Sequence, residues 1–72
     1  MSLATELIPG EKAMIVRYSD EKVAGKLISM GMMPGSQFII IRKPPFGGGY
    51  YVMIDGVNLA LRENEVKSIV VG

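Results

Sequence analysis

Short runs of hydrophobic residues, separated by proline, glycine and polar residues, recur along the whole chain. The run Ala13–Val16 is rich in β-forming residues and lies between turn signals, which predicts a first strand. The stretch Gln37–Lys43 contains four consecutive large apolar residues, three of them β-branched, and is too short for a helix. It therefore predicts the most central strand of a sheet.

A loop and a hairpin are predicted in the second half of the chain. Residues Pro44–Gly49 include two prolines, which lack an N–H donor, and three glycines, so this segment cannot hold a strand ladder. Residues Tyr50–Ile54 are expected to alternate between the two faces of a sheet. In the second strand Val57, Leu59 and Leu61 are expected on one face, and Asn58 and Ala60 on the other. The dipeptide Asp55-Gly56 between the two strands is the one that type I′ hairpin turns prefer.

One helix of about three turns is predicted between the first two strands. Ser19 or Asp20 offers an N-cap, and negative charge in the first turn complements the helix dipole. Gly31 is placed to take a left-handed conformation just after the helix. The apolar side repeats at i, i+4 and i+7 and is formed by Val23, Leu27 and Met30, with Ala24 and Ile28 beside them.

Turn residues and a final strand complete the prediction. Pro34 prevents the helix from resuming, and Gly35 is expected to need a backbone conformation that only glycine adopts easily. Arg62–Glu65 is polar and predicts a single helical turn. Ile69–Val71 predicts the last strand.

These elements predict an all-β fold of about five strands with one short helix after the first strand. A sheet this small cannot leave two long edges open without inviting aggregation, which favours a bent, nearly closed barrel over a flat sheet. Residues 1–6 are expected to be a flexible tail, and residues 7–72 to form one barrel domain. The expected structural turn residues are Gly31, Pro34, Gly35, Asp55 and Gly56.

Composition narrows the possible functions. With 72 residues the chain is one small domain, which argues against an enzyme. Histidine and cysteine are both absent, so disulfides, thiolate or imidazole zinc sites, thiol nucleophiles and histidine bases are excluded. No catalytic residue and no cofactor are therefore expected.

Charge and hydropathy narrow them further. The net charge is +1, and the longest run of basic residues is Arg42-Lys43. The sequence therefore lacks the clustered basic residues that are typical of a nucleic-acid binder. No apolar stretch approaches the length of a membrane span, and the first residues do not resemble a signal peptide. We therefore expect a cytoplasmic protein that is not embedded in a membrane.

Three methionines near the helix exit form a candidate site. Met30, Met32 and Met33 could offer thioethers to a soft metal, whereas ferrous iron prefers imidazole and carboxylate ligands. We expect core or interface packing instead of metal ligation, with Met30 in the core and either Met32 or Met33 exposed. Flexible methionine side chains suit an adaptable recognition surface.

Acidic pairs and the glycine run give weaker signals. The pairs Asp20-Glu21 and Glu63/Glu65 do not share a helical face, so we interpret them as a dipole-complementing first turn and a solvated turn. No protein metal ligand is therefore assigned. The run Gly47–Gly49 precedes a strand and matches no phosphate-binding motif, which favours a hairpin loop.

A second candidate partner site lies around the predicted loop between the central strands. Pro44-Pro45-Phe46 with Tyr50 and Tyr51 could form an exposed aromatic patch at one rim of the barrel. Equally, Phe46 could fold back to cap the barrel while one tyrosine fills the core; alternation puts Tyr50 and Tyr51 on opposite faces. Positive charge to steer an acidic partner would come from Arg42, Lys43 and Arg62. The residues expected to contact a partner are Met30, Met32, Met33, Pro44, Pro45, Phe46, Tyr51 and Arg62.

Four segments carry a resemblance to a known family. They are Leu7–Ala13 (Leu-Ile-Pro-Gly-Glu-Lys-Ala), Leu27–Gly35 (Leu-Ile-Ser-Met-Gly-Met-Met-Pro-Gly), Leu59–Arg62 (Leu-Ala-Leu-Arg) and Ile69–Val71. Together they span nearly the whole chain, and the chain resembles the FeoA family of small cytosolic accessory proteins of bacterial ferrous iron uptake. The resemblance implies an SH3-like barrel with a helix after its first strand.

The resemblance also implies a function. It suggests a non-enzymatic accessory of the membrane GTPase that carries ferrous iron, contacting the cytosolic part of that transporter. A similar domain forms the C-terminal module of metal-dependent repressors of the diphtheria-toxin-repressor type. The alternative is therefore a stand-alone regulator that responds to a transition metal ion, which it would bind weakly. Self-association through an exposed apolar rim also stays open.

Overall fold

The secondary structure follows the predicted order, with one addition at the N-terminus. A computed structural model of the chain describes residues 1–45 and 48–72. The elements in chain order are β1 (Ser2–Leu3), a 3-10 turn (Ala4–Glu6), β2 (Lys12–Tyr18), α1 (Glu21–Ser29), β3 (Gln37–Arg42), β4 (Gly49–Ile54), β5 (Val57–Arg62), α2 (Glu63–Val66) and β6 (Ile69–Val71). The predicted strands, helix and helical turn are all present. Phe46 and Gly47 lie outside the described residues.

The described strands form one antiparallel sheet in the order β1-β6-β2-β3-β4-β5. Strand β2 belongs to both halves of the sheet, because it pairs with β6 on one side and with β3 on the other. The register of β2 shifts between Ile15 and Arg17, and that of β3 shifts between Ile40 and Arg42. Bulges increase local twist and bend a strand, so these two shifts help the sheet curl around one core as a small barrel.

The core is apolar and is supplied by every strand except β1, together with α1, α2 and the 3-10 turn. Alternating residues of β3, β4 and β5 point inward, as expected for a half-buried antiparallel sheet. The largest fully buried side chains are Phe38, Ile15, Leu27, Met32, Ile40, Leu61, Ile69, Val52, Val66 and Val71.

The N-terminal residues differ from the predicted tail. Ser2 and Leu3 pair with Val71 and Val70 of the last strand, and the 3-10 turn then buries Ala4 completely. The Glu6 carboxylate closes this turn by accepting the main-chain N–H of Leu3 at 2.8 Å. The chain therefore gains a sixth strand because the edge of β6 is available to its own N-terminus.

Helix α1 begins and ends as predicted. The Asp20 carboxylate accepts the N–H groups of Lys22 and Val23 at 2.8 and 3.3 Å, which makes Asp20 the N-cap. At the other end Gly31 has φ +90°, the left-handed conformation expected just after a helix. Only Val23 and Leu27 of this helix are buried.

The β4–β5 hairpin confirms the predicted type I′ turn. Asp55 and Gly56 both have positive φ, 47° and 83°, as this turn requires. The Asp55 carboxylate also accepts the main-chain N–H of Gln37 at 2.8 Å. The turn therefore ties the hairpin to the start of β3.

Candidate functional site

Several exposed apolar residues lie close together in sequence at the C-terminal end of α1. Ile28 is 40% exposed, Met30 46% and Met33 52%, and Pro34 is also exposed. We call Ile28, Met30, Met33 and Pro34 the helix-exit surface. Its three large apolar side chains follow one another closely in sequence and are all exposed, which makes it a candidate contact surface.

The prediction that Met30 lies in the core is wrong, whereas one of Met32 and Met33 is exposed as expected. Met30 was expected in the core, but Met32 is the buried residue, at 1% exposure. The reason is the helix end: Gly31 N–H donates to Ile28 C=O at 3.0 Å, and Met32 N–H donates to Leu27 C=O at 2.9 Å. This double hydrogen bond is a Schellman motif, in which the residue after the glycine folds back onto the helix. Met32 therefore packs inward and leaves the set of partner-contacting residues.

A second turn fixes Met33 after this reversal. Met33 N–H donates to Ser36 Oγ at 3.3 Å, and Ser36 N–H donates to Met33 C=O at 3.0 Å. Gly35 has φ +95° and its N–H donates to Ile15 C=O at 2.8 Å. The main chain below the helix-exit surface is thus held by β2 and by its own turn.

Tyr18 holds the same segment from below. Its hydroxyl donates to Met32 C=O at 2.6 Å. Burial raises the pKa of Tyr18 above its ordinary value of 10.0, so the hydroxyl stays protonated at neutral pH and remains a donor. The main chain beneath the helix-exit surface is therefore held in place by hydrogen bonds to β2.

Most of the acidic side chains make hydrogen bonds or ion pairs within the fold. Five of the seven carboxylates accept a main-chain N–H: Glu6, Glu11, Asp20, Asp55 and Glu65. Glu63 instead pairs with Lys67 at 3.0 Å on the exposed side of α2. Over residues 1–45 and 48–72, no three metal-ligating side chains lie together. The orientation of these carboxylates is set by caps and turns.

Glu65 differs from the solvated position that its sequence context predicts. Its side chain is only 5% exposed, and it accepts the Arg62 N–H at 2.8 Å and pairs with Lys26 Nζ at 2.5 Å. Burial alone would raise the pKa of Glu65. The hydrogen bonds from Lys26 and the Arg62 N–H, with the charges of Lys26 and Arg62, outweigh burial and lower the pKa below 4.5. Glu65 therefore links α1 to α2 as an anion.

This link predicts a pH-dependent stability. Because the folded-state pKa of Glu65 lies below its unfolded value, the stability it contributes is present above pH 4.5 and is lost as the pH falls through the lower folded-state pKa. Glu65→Gln should therefore flatten the acid limb of a plot of melting temperature against pH. Glu63→Gln, at an exposed carboxylate of the same helix, is the matched control and should leave that limb unchanged. An acid limb of equal slope in wild type and Glu65→Gln would contradict this assignment.

The other predicted contact residues lie at the far end of β3, where Lys43 Nζ donates to Thr5 C=O at 3.0 Å. A cleft of about 340 Å³ opens there, and its lining residues are Arg42, Lys43, Pro44, Pro45, Gly48, Gly49 and Tyr51. Tyr51 is 55% exposed whereas Tyr50 is buried, as strand alternation predicts. The predicted role of Phe46 at this rim lies outside the described residues.

The sheet register places charge beside Tyr51. Arg42 lies directly opposite Tyr51 across β3 and β4, and Ala60 lies opposite it on β5. Arg62 lies opposite Gly49, one step along the same outer face. We call Arg42, Tyr51, Ala60 and Arg62 the rim surface.

The predicted contact residues thus form two separate sets. The helix-exit surface precedes β3 and the rim surface begins at Arg42, the last residue of β3, so about 20 Å of strand separates the two along the chain. Sequence reasoning missed Ile28, which was assigned to the buried stripe of α1.

Comparison with known proteins identifies the family. The family model of the FeoA domain matches residues 1–72. The chain belongs to the FeoA family. None of the described helices is long and apolar enough to cross a membrane.

Solved FeoA structures share the whole fold. An FeoA-like protein from Clostridium acetobutylicum has 29% identity and a TM-score of 0.86, and the match covers 99% of this chain and 84% of that one. FeoA from Stenotrophomonas maltophilia, solved with zinc and described as an SH3 domain protein, has 28% identity and a TM-score of 0.78, with 100% and 89% covered. The predicted SH3-like fold class is confirmed.

The same fold occurs within larger regulators. A manganese-dependent transcriptional repressor in complex with manganese matches with a TM-score of 0.85 and 23% identity. The match covers all of this FeoA chain but 35% of the repressor. At that identity the likeness concerns the fold alone.

Proposed function

We propose that this FeoA protein is a non-enzymatic accessory of ferrous iron transport that acts in the cytoplasm. Its partner would be the cytosolic part of the membrane GTPase that transports ferrous iron. Family membership supports the link to iron uptake, since the S. maltophilia relative is described as possibly a ferrous iron transport activating factor. In this proposal the GTPase supplies the chemistry and the present chain supplies a recognition surface.

The observation that carries the proposal is the helix-exit surface. Ile28, Met30 and Met33 are between 40% and 52% exposed, yet the turns beneath them are closed by hydrogen bonds from Tyr18 and Gly35. An exposed apolar surface on a fixed main chain loses little conformational entropy when it binds. Methionine side chains can adapt to a partner's shape, which suits a protein interface.

Substitution of Met33 tests this surface. We expect Met33→Asp to leave the melting temperature unchanged, because the side chain is half exposed, and to weaken binding to the soluble GTP-binding domain of the transporter from the same organism about tenfold or more. The reason is that a carboxylate would have to be desolvated against an apolar contact. Isothermal titration calorimetry measures the affinity.

The matched control for this test is Ile8→Asp. Ile8 is an apolar residue of at least equal exposure, 67%, in the turn before β2 and outside both the helix-exit surface and β5. It should bind the GTP-binding domain as the wild type does. If Met33→Asp and wild type bind equally tightly, the helix-exit surface is not the contact.

A metal-responsive regulator is the alternative function, and it has less support. The resemblance to the manganese-dependent repressor is one of fold, and the carboxylates of the present chain are oriented by main-chain hydrogen bonds. Titration with Mn²⁺ and Zn²⁺, followed by backbone amide shifts, separates the two functions. Saturable shifts at low micromolar metal would favour the regulator.

A further inference from the structure

The open edge of β5 is a feature that the proposed function does not use. Strand β5 is the last strand of the sheet. Among the described residues it pairs with β4 alone, so its other edge is open. It is six residues long with an unbroken register and contains neither proline nor lysine. Native sheets usually protect such an edge with those residues or with a bulge. By contrast β1, at the other end of the sheet, is only two residues long.

The register shows which main-chain groups face outward. The two-residue turn makes Ile54 and Val57 a hydrogen-bonded pair, so Leu59 and Leu61 also bond to β4. The N–H and C=O groups of Asn58 and Ala60 therefore point away from the sheet, and neither bonds to another of the described residues. The outward N–H of Arg62 is already bound by the Glu65 carboxylate. The open segment of the edge is thus residues 58–60.

A cleft lies beside this open segment, and two cationic side chains lie on the same outer face of the sheet, Arg62 on β5 itself and Arg42 two strands away on β3. The cleft has a volume of about 400 Å³, and its lining residues are Ile41, Tyr51, Val52, Asn58, Leu59 and Ala60. On the same outer face, Arg42 stands opposite Tyr51 and Arg62 stands one step along β5. Among the described residues, the ion pairs are Lys26–Glu65 and Lys67–Glu63, so neither arginine is in one.

We propose that the β5 edge takes up an extended acidic segment of a partner protein as an added strand. The segment's main chain would pair with Asn58 and Ala60, its carboxylates would meet Arg42 and Arg62, and an apolar side chain would lie in the cleft beside Tyr51. Strand addition of this kind gains affinity from main-chain hydrogen bonds and specificity from alternate side chains. The proposal goes beyond the proposed function, whose contact is the helix-exit surface, because it names the chemistry of what the rim surface recognises.

Two other occupants fit the edge less well. A single-stranded nucleic acid could stack on Tyr51 and meet the arginines, but it has no main chain to pair with the alternating N–H and C=O groups of Asn58 and Ala60. A second copy of this chain could pair its own β5 here, yet its edge would bring the same arginines toward a surface that is already positive. Charge complementarity therefore favours an acidic polypeptide.

The test uses a short synthetic peptide with an acetylated N-terminus and an amidated C-terminus, in which glutamate and valine alternate. Added to the isotope-labelled full chain, it should give saturable amide shifts centred on Asn58 and Ala60. The same peptide N-methylated at alternate residues lacks the donors of one edge, and should bind about tenfold more weakly or worse. This comparison leaves the protein unaltered, so it does not depend on the folding of any variant.

Protein variants test the two sources of affinity separately. Ala60→Pro removes the outward N–H of Ala60, so it should weaken peptide binding while leaving the far-ultraviolet circular dichroism of the free protein unchanged. Arg42→Glu should weaken binding about tenfold, and the weakening should shrink at high salt. Lys22→Glu, which makes the same charge change on exposed α1, is the control and should bind as the wild type does.

Several results would overturn the inference. These are no saturable shift, equal binding of a lysine-valine peptide, or no effect of N-methylation. Oligothymidylate shifting the same amides, with loss in Arg42→Glu but not in Ala60→Pro, would assign the rim surface to nucleic acid. Shifts at Asn58 and Ala60 that grow with protein concentration alone, with a doubled mass, would assign the edge to a second copy. Since the transporter domain is absent from these measurements, failure here is distinct from failure of Met33→Asp to weaken its binding.

Discussion

Gly35→Val is expected to lower the free energy of unfolding by about 2 kcal/mol. Gly35 has φ +95°, a region in which a β-branched residue is strained, and its N–H is needed by Ile15 C=O. A Cβ built at Gly35 would meet nothing within 4 Å, so the cost comes from the main chain and not from a clash. Urea unfolding followed by circular dichroism measures the change.

Gly25→Ala is the control for this prediction. A Cβ at Gly25 would also meet nothing within 4 Å, but Gly25 lies inside α1 with no positive φ. The substitution should raise the free energy of unfolding by about 0.5–1 kcal/mol, because alanine has the higher helix propensity. The two glycines therefore differ in the sign of the effect. An unchanged melting temperature in Gly35→Val would contradict the role given to this turn.

Met32→Ala is the second substitution with a large expected effect. Met32 is 1% exposed and folds back onto Leu27 through the Schellman motif, so truncation removes apolar burial and leaves a cavity. We expect the free energy of unfolding to fall by about 3 kcal/mol. Met33→Ala, one residue further on and 52% exposed, should change it by less than about 0.5 kcal/mol.

These neighbouring methionines test the placement of the helix exit without any partner. Both substitutions remove the same atoms, so a difference in unfolding free energy reports burial alone. Equal losses at the two positions, or a larger loss at Met33, would mean that the chain leaves α1 in another direction. The helix-exit surface would then have to be redefined.

Local turn chemistry made much of the fold predictable. Asp55-Gly56 identified the hairpin because few residue pairs tolerate positive φ at both positions. Asp20 and Gly31 marked the ends of α1 for similarly local reasons. The strands of the hairpin then followed from their alternation.

Contacts between distant segments could not be predicted in the same way. Strand β1 has two residues and exists because β6, at the other end of the chain, offers an edge. Nothing in Ser2-Leu3 alone indicates a strand. The tail expected from sequence therefore became part of the sheet.

The helical spacing of apolar residues does not predict where the methionines lie, because it applies only within α1. Helical spacing places Met30 on the face of Val23 and Leu27, but the helix ends at Ser29 and Met30 is its cap. Gly31 is a stop signal for the helix in the sequence. Its second consequence is that the next residue packs against the last turn, which puts Met32 in the core.

The prediction that Glu65 is solvated rests on the spacing of residues in a regular helix. Residues two apart do not share a helical face, so Glu63 and Glu65 appeared to be unrelated surface charges. Glu65 is instead the third residue of a very short helix, where a glutamate bonds back to the N–H of the capping residue Arg62. The spacing from Arg62 to Glu65 carried that signal.

The rim surface depends on an irregularity that alternation does not show. In a regular strand Arg42 would point to the same side as Phe38 and Ile40, into the core. The bulge after Ile40 turns Arg42 to the outer face, opposite Tyr51. The positive charge near the loop was predicted, whereas the position of Arg42 on the outer face, in line with Tyr51 and Ala60, required the structure.

The most direct test of the proposed function is a titration of the isotope-labelled chain with the soluble GTP-binding domain of the ferrous iron transporter. Backbone amide shifts are followed residue by residue. We predict saturable shifts centred on Met30–Gly35, with the core of β4 unaffected. Absence of shifts at high micromolar concentrations of the domain, or shifts confined to residues remote from both the helix-exit and rim surfaces, would contradict the account.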